Sequence, residues 1–401
     1  MIAAPLEAGA ARADISPENP VGAFMAGFAP NRLSLGALEP LEATVLYLRR
    51  GERELCLVSV DSIGLLRATI ERIRERAQGF ARPSDIIVCA THTHSGVDTL
   101  GIWGPTVLKV IPRGTGIVPA YMDLLVERIG DAITRAREAA RPASLRNAAF
   151  TVDPQWTRND RKGGGRYDDA VALGLDDAET GERIATLLNF ASHPETLWEQ
   201  NRWLSPDFPG PFRRHVREAV GGEALYFSGP LGGMLTPNVP PDSSEAQRRD
   251  YIERLGQALA TQTTTALAAA EPDADPDFAH TFKVTEFPLA NWRFRLMTRL
   301  GIIPNAWRGQ AAETEIHHMR IGKLELFSVP GEPVPEVGHQ IAERLSGPHR
   351  GMLCLGMDEF GYILEPKMFD DREYRYEKTM SLGPATADTL LRACDALVDA
   401  A

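Results

Sequence analysis

Three apolar, β-type runs in this chain each stop at an imidazole or an acid and then turn. Ser84-Asp-Ile-Ile-Val-Cys-Ala-Thr-His-Thr-His-Ser-Gly96 carries His92 and His94, residues 183–191 run into Ser192-His193-Pro194, and residues 324–329 run into Pro330-Gly331-Glu332-Pro333. Short apolar runs bounded by turn residues read as buried strands, and open α/β sheets collect ligands just beyond the carboxyl ends of their strands. For these ends to supply one site, the chain has to fold so that strand ends far apart in sequence share one edge. Two histidines at i and i+2 of an extended segment project from one face, so the spacing also predicts that His92 and His94 look into one crevice.

Between these runs, strand-like and helical segments alternate, which is an α/β pattern and not an all-β one. Residues 43–48 and 54–60 read as a hairpin across Arg50-Gly51-Glu52, with Asp61 at the end of its second strand. Further strands are expected at 12–17, 143–152, 171–175, 224–228, 278–287, 313–321 and 352–356. Helical periodicity covers 66–77, 120–139, 207–220, 244–270, a stretch ending at Arg344, and 384–400. Gly- and Pro-rich loops are expected at 22–36, 101–116, 157–166, 229–238 and 361–379. The expected fold is α/β, with mixed β-sheets flanked by helices and a metal site at strand ends. No repeat, low-complexity tract or linker demands a cut, so residues 1–401 read as a single α/β domain.

Composition narrows the partners. A net charge of −11 argues against nucleic acid, where affinity comes from Lys and Arg neutralising phosphates. The start, Met1-Ile-Ala-Ala-Pro-Leu-Glu7, lacks a basic stretch followed by an apolar one, and no apolar run reaches about 18 residues, so a cytoplasmic protein without a transmembrane segment is expected. The four cysteines are widely spaced with no Cys-x-x-Cys, which argues against a disulfide scaffold or a thiolate zinc site.

Catalytic zinc takes three protein N or O ligands and leaves a position for water, a requirement that His92, His193 and Glu332 match in kind. Each also has a plainer role. His92 or His94 serves equally as a core histidine on a carbonyl, His193 is held extended by Pro194, and Glu332 suits a helix N-terminus. What favours the metal reading is their recurrence at strand ends, and it requires the His92 and His193 rings to lie within about 6 Å. His215, His280, His317, His318, His339 and His349 show no such clustering and read as structural or solvated. Within 291–308, Trp292-Arg-Phe-Arg-Leu-Met-Thr-Arg-Leu300 reads first as an Arg-covered packing helix. A lid over an apolar substrate and a membrane-touching patch are the alternatives.

Taken in order, Ala13-Asp-Ile-Ser-Pro17, Ser59-Val-Asp61, Thr91-His-Thr-His-Ser-Gly96, Asn189-Phe-Ala-Ser-His-Pro194, Val329-Pro-Gly-Glu332, Tyr362 and Arg375-Tyr-Glu377 resemble the motifs of the neutral/alkaline ceramidases, a family of zinc amidases. The resemblance spans nearly the whole chain. It implies one zinc ion per chain, bound by His92, His193, Glu332 and Tyr362, with Tyr376 and an arginine, Arg158 or Arg161, polarising the amide carbonyl. Two departures stand out: Met234 occupies the place of an expected acid in Gly233-Met-Leu-Thr-Pro-Asn238, and the segment between the two tyrosines is two residues longer than expected. The C-terminal immunoglobulin-like domain and secretion signal of ceramidases are expected to be absent.

The sequence thus reads as a zinc hydrolase of an amide, with ester or lactone cleavage as a further option, acting on a small or lipid-like substrate, with peripheral membrane contact open. His94 would orient a ligand or accept a proton, Tyr376 and Arg161 would stabilise the oxyanion, and Thr236 would line the pocket. One rival is a two-metal phosphoesterase completed by Asp61, Asp98 and Asp207. Another is a binding protein without turnover, to which Met234 lends weight.

Overall fold

The computed structural model describes residues 4–400 apart from 78, 108–110, 274, 305, 306 and 308–310, with only the backbone of Ile111. Eight strands form the larger sheet: β1 (Leu6–Asp14), β2 (Glu42–Arg50), β3 (Arg53–Val60), β4 (Ile86–Ala90), β5 (Arg141–Thr151), β6 (Asp169–Asp177), β7 (Arg183–Phe190) and β8 (Glu223–Ser228). They lie in the order β8-β7-β6-β5-β1-β2-β3-β4, with the two outermost pairs, β7–β8 and β3–β4, parallel and the rest antiparallel. A second sheet holds β9 (Phe278–Pro288), β10 (Ala311–Ile321), β11 (Leu324–Val329) and β12 (His349–Cys354) in sequence order, with only β11–β12 parallel. The mixed α/β architecture is the one expected.

Helices cover the sheets. α1 (Arg67–Arg76), α2 (Pro119–Glu138), α3 (Pro209–Val220) and α4 (Glu245–Ala269) serve the large sheet, while α6 (Pro335–Ala342) and α8 (Thr386–Val398) pack on the small one. α5 (Trp292–Arg299) and α7 (Arg375–Thr379) are short connectors. Period-2 alternation sorts β6 between its two faces: Ala170 and Ala172 pack toward α4, whereas Val171 meets the small sheet at Gly351. A Cβ at Gly351 would sit 2.7 Å from Asn189 Oδ1 and 2.8 Å from Val171, so only glycine lets β12 approach this closely. Asn189 then bridges the sheets, donating to Met352 O at 2.7 Å and accepting from Met352 N at 3.1 Å.

The large sheet curls until its ends lean together. Ser59 of β3 donates to Tyr226 O of β8, and Ser228 donates to Thr91 O at 2.9 Å. That closure brings the C-terminal ends of β4 and β7, distant in strand order, to one place.

Several boundaries differ from the sequence reading. The strand expected at 12–17 is the end of β1, and α3 begins at Pro209, where the missing N–H and fixed φ of proline suit a first helical position. Loops expected at 157–166, 229–238 and 361–379 contain two- and three-residue ladders, Thr157–Asn159 with Leu235–Pro237 and Glu332–Pro333 with Tyr362–Ile363, too short to carry periodicity.

His317 gives the fold an acid limit. It is buried on β10 between His280 Nε2 (2.9 Å) and Glu315 Oε2 (3.1 Å), and Glu315 in turn holds the buried Arg74 of α1. Burial lowers the His317 pKa to about 4, against the partial support of Glu315. The unfolded chain, with an ordinary histidine near 6.5, then binds the proton first. Stability is therefore complete above pH ~6.5 and lost as pH falls toward 4, by up to about 3 kcal/mol from this group. Urea unfolding across that window should show a shallower fall in His317→Gln than in the wild type; equal slopes would refute the assignment.

Candidate metal centre

β4 stops at Ala90, earlier than the sequence implies. Thr91 N donates to Val60 O and His92 N to Ser62 O, while His92 takes φ +70, a left-handed conformation uncommon for a residue with a Cβ. His92 and His94 therefore do not alternate along an extended strand. The turn brings them together instead, with ring centroids 4.9 Å apart. His94 N donates to Pro194 O at 3.0 Å, tying this turn to the one after β7. Gly27, at φ +79, lies against the His94 ring, where a Cβ would come within 2.6 Å.

His193 follows β7 and is fully buried. Its ring centroid is 5.1 Å from that of His92 and 5.5 Å from that of His94, inside the limit set by the metal reading. Glu332 comes from the turn after β11, and its pairing with Tyr362 sets that tyrosine alongside it. Three strand ends and one short ladder thus supply a single cluster.

The hydrogen bonds fix how the rings point. His92 Nδ1 lies 2.6 Å from Ile63 O, and His193 Nδ1 lies 2.9 Å from Leu235 O. A carbonyl only accepts, so both Nδ1 atoms carry hydrogen and both Nε2 atoms face inward. Each Nε2 approaches the same oxygen, Glu332 Oε2, at 3.3 and 3.1 Å. Two imidazole nitrogens and a carboxylate oxygen meeting at one buried point call for positive charge between them, and this donor set fits a divalent cation such as zinc. His92, His94 and His193 each also offer a nitrogen within 4.8 Å of the others'.

Titration follows the same geometry. Burial would lower the His193 pKa, but the Glu195 and Glu332 carboxylates outweigh it and hold the ring protonated up to about 9. Burial likewise opposes ionisation of Glu332, and the His92 and His193 rings overcome it, keeping the carboxyl far below its ordinary range. His94 goes the other way: burial takes it to about 4, with Glu195 offsetting only part.

His94 Nδ1 is 3.0 Å from Glu195 Oε2, a contact too far off-line to count as an aligned hydrogen bond, and its Nε2 has no protein partner among the described residues. Sequence reasoning missed Glu195. The signal was an acid directly after His193-Pro194, indistinguishable in sequence from a solvated turn residue. Also missed was Glu359, a buried carboxyl on the pocket wall whose pKa is raised by burial and by the nearby Glu332 charge.

Tyr362 is buried beside Glu332, and its hydroxyl donates to Met234 Sδ at 3.4 Å. Met234 itself adopts φ +62. Tyr376 stacks edge-on to Tyr362 at 6.0 Å and lines the pocket; the residue is 46% exposed overall, but its hydroxyl sits at the sheltered end, where desolvation and then the Glu332 and Glu195 charges raise its pKa. Arg161 Nε donates to Glu377 Oε1, next to Tyr376. Arg158 is engaged elsewhere, with Asp160 and the carbonyls of Pro237 and Val239. Thr236 is buried in the adjoining ladder.

The acids of the two-metal rival do not reach the cluster's hydrogen bonds. Both oxygens of Asp61 bind the Arg213 guanidinium, at 2.9 and 2.5 Å. Asp98 accepts from the backbone of Leu100, Gly101 and Trp103, and Asp207 from Thr196, Phe208 and Leu197. Above the polar floor the pocket walls are apolar, with Leu66, Ile102, Trp103, Phe294, Ile303 and Trp307.

Fold and cluster together define an α/β protein built around a buried imidazole–carboxylate centre at converging strand ends. No family model matches the sequence, and no curated protein matches it. Among solved structures the chain is similar to neutral ceramidase from Pseudomonas aeruginosa, with a TM-score of 0.79 and 18% identity, over 99% of this chain and 75% of that one. A structure of a ceramidase complexed with C2 gives the same TM-score and identity, over 99% and 76%. The ceramidase-like fold implied by the motifs is the fold observed.

Proposed function

We propose that this chain is a zinc-dependent hydrolase that cleaves an amide, an N-acyl bond, of a small or lipid-like substrate, with esters or lactones as secondary substrates. The observation that carries the proposal is the meeting of His92 Nε2 and His193 Nε2 on one oxygen of Glu332. His92, His193 and Glu332 would hold one ion, joined by Tyr362 once its hydroxyl leaves Met234. Zinc in such a site polarises an acyl carbonyl and lowers the pKa of a water molecule to around 7.

The remaining steps belong to side chains. His94 is neutral at pH 7, and Glu195 beside its Nδ1 favours the tautomer whose Nε2 lone pair is free. That nitrogen takes a proton from the attacking water and returns it to the leaving amine. Tyr376 keeps its hydroxyl hydrogen at neutral pH and, with Arg161, donates to the oxyanion. The apolar walls suit an acyl chain.

Two experiments test this. Short N-acyl amides should be hydrolysed by zinc-loaded protein and not by the metal-depleted form. Tyr376→Phe should lower kcat by about 100-fold with little change in KM, the signature of a donor used mainly in the transition state. A changed KM with kcat intact would remove Tyr376 from the oxyanion role. The engagement of the Tyr362 hydroxyl by Met234 favours the second reading, a binding protein without turnover, and a blank substrate screen despite bound zinc would support it.

A further inference from the structure

α5 turns two different faces to two different surroundings. Phe294 is buried and lines the pocket. Trp292, Leu296 and Leu300, at i, i+4 and i+8, point outward with exposures of 62%, 45% and 62%. This is not the Arg-covered packing helix that the sequence suggests: Phe294 packs inward, but three of the large apolar side chains are exposed. Between them stand Arg293, Arg295 and Arg299, which have no ion-pair partner among the described residues, and Arg293 lies over the Trp292 ring at 5.7 Å. From Glu286 to Glu313 the chain contains four arginines and no intervening acid, within a protein of net charge −11. A surface helix with an apolar stripe flanked by arginines has the composition of one that lies in a lipid interface. Its local charge is opposite to the protein's overall charge, as attraction to an anionic surface requires.

We propose that α5 docks this protein on anionic lipid bilayers, with Trp292, Leu296 and Leu300 entering the interface and Arg293, Arg295 and Arg299 meeting lipid phosphates and carboxylates. Phe294 on the opposite side then places the pocket wall next to the bilayer, so an acyl substrate passes from lipid to pocket without crossing bulk water. Docking deepens the proposed lipid-like substrate class, but it is read without any turnover, so failure of the hydrolase reading would leave its test intact.

The test is flotation of the full chain with phosphatidylcholine vesicles, with and without about 30 mol% phosphatidylserine. The wild type should float with the anionic vesicles, bind pure phosphatidylcholine at least about tenfold more weakly, and be released at high salt. W292S/L296S/L300S and R293E/R295E/R299E should each lower binding to anionic vesicles by about tenfold or more, while hydrolysis of a soluble short-chain amide stays within about twofold of wild type. Near-equal retention in both variants would overturn the proposal. So would a wild type that stays soluble with both vesicle types. A concentration-dependent dimer in sedimentation velocity that W292S/L296S/L300S dissociates would assign the face to a second copy of the chain and overturn it equally.

Discussion

Replacing His193 by alanine is expected, on the proposed zinc-hydrolase reading, to lower kcat/KM for an N-acyl amide by at least about 1,000-fold and to abolish metal binding. His193 is wholly buried, and its Nδ1 is fixed by Leu235 O, so its Nε2 has no other direction in which to point. Removing that nitrogen takes away one of three converging donors and leaves Glu332 Oε2 with the single partner His92. Zinc sites lose about 10- to 100-fold in affinity or activity when only an outer supporting group is removed, and loss of a ligand exceeds that. Metal content by elemental analysis, measured beside activity, separates a lost ion from a misfolded chain. Activity within about tenfold of wild type would exclude His193 from the centre.

Asp61→Asn is expected to destabilise the fold by about 3 kcal/mol, because it removes the bidentate one of the two carboxylates that neutralise the buried Arg213 guanidinium and leaves only Glu42, 3.3 Å from its Nε. Asp61 is fully buried, as is Arg213 at 1% exposure, and both Asp61 oxygens are engaged. The same carboxylate accepts from Glu42 N at 2.8 Å and from the Thr91 hydroxyl at 3.2 Å, so it also anchors the residue before His92. Urea unfolding gives the stability, and a paired Asp61→Leu, Arg213→Met variant should recover much of it, since well-packed apolar pairs can replace buried ion pairs. A single variant within about 1 kcal/mol of wild type would show that the pair contributes little.

What the sequence made legible follows from what is local. His92, His193 and Glu332 could be picked out because each ends an apolar run before a turn, a pattern held within a few residues. The alternation of strands and helices gave the fold class for the same reason. His92 and His94 do share one crevice, as their spacing suggested, but through a turn and not an extended strand: the strand stops at Ala90 and a left-handed residue follows, which apolar patterning does not encode. The curl of the large sheet rests on contacts such as Ser59 with Tyr226 and Ser228 with Thr91, between segments with no mutual sequence signature. Glu195 escaped notice because its burial depends on that closure. Arg158 and Arg161, three residues apart, were separable only once Glu377 and the carbonyls of Pro237 and Val239 had found their partners.

The centre itself is tested most directly by calorimetric titration of zinc into metal-depleted protein at pH 7, wild type beside Glu332→Gln. Because the surrounding carboxylates hold His193 protonated up to about 9, zinc must displace that proton as it binds. The account predicts one ion per chain, proton release detectable by varying the buffer, and binding weaker by about 100-fold or more in the variant. Two ions per chain, no uptake by the wild type, or equal affinity in Glu332→Gln would contradict it.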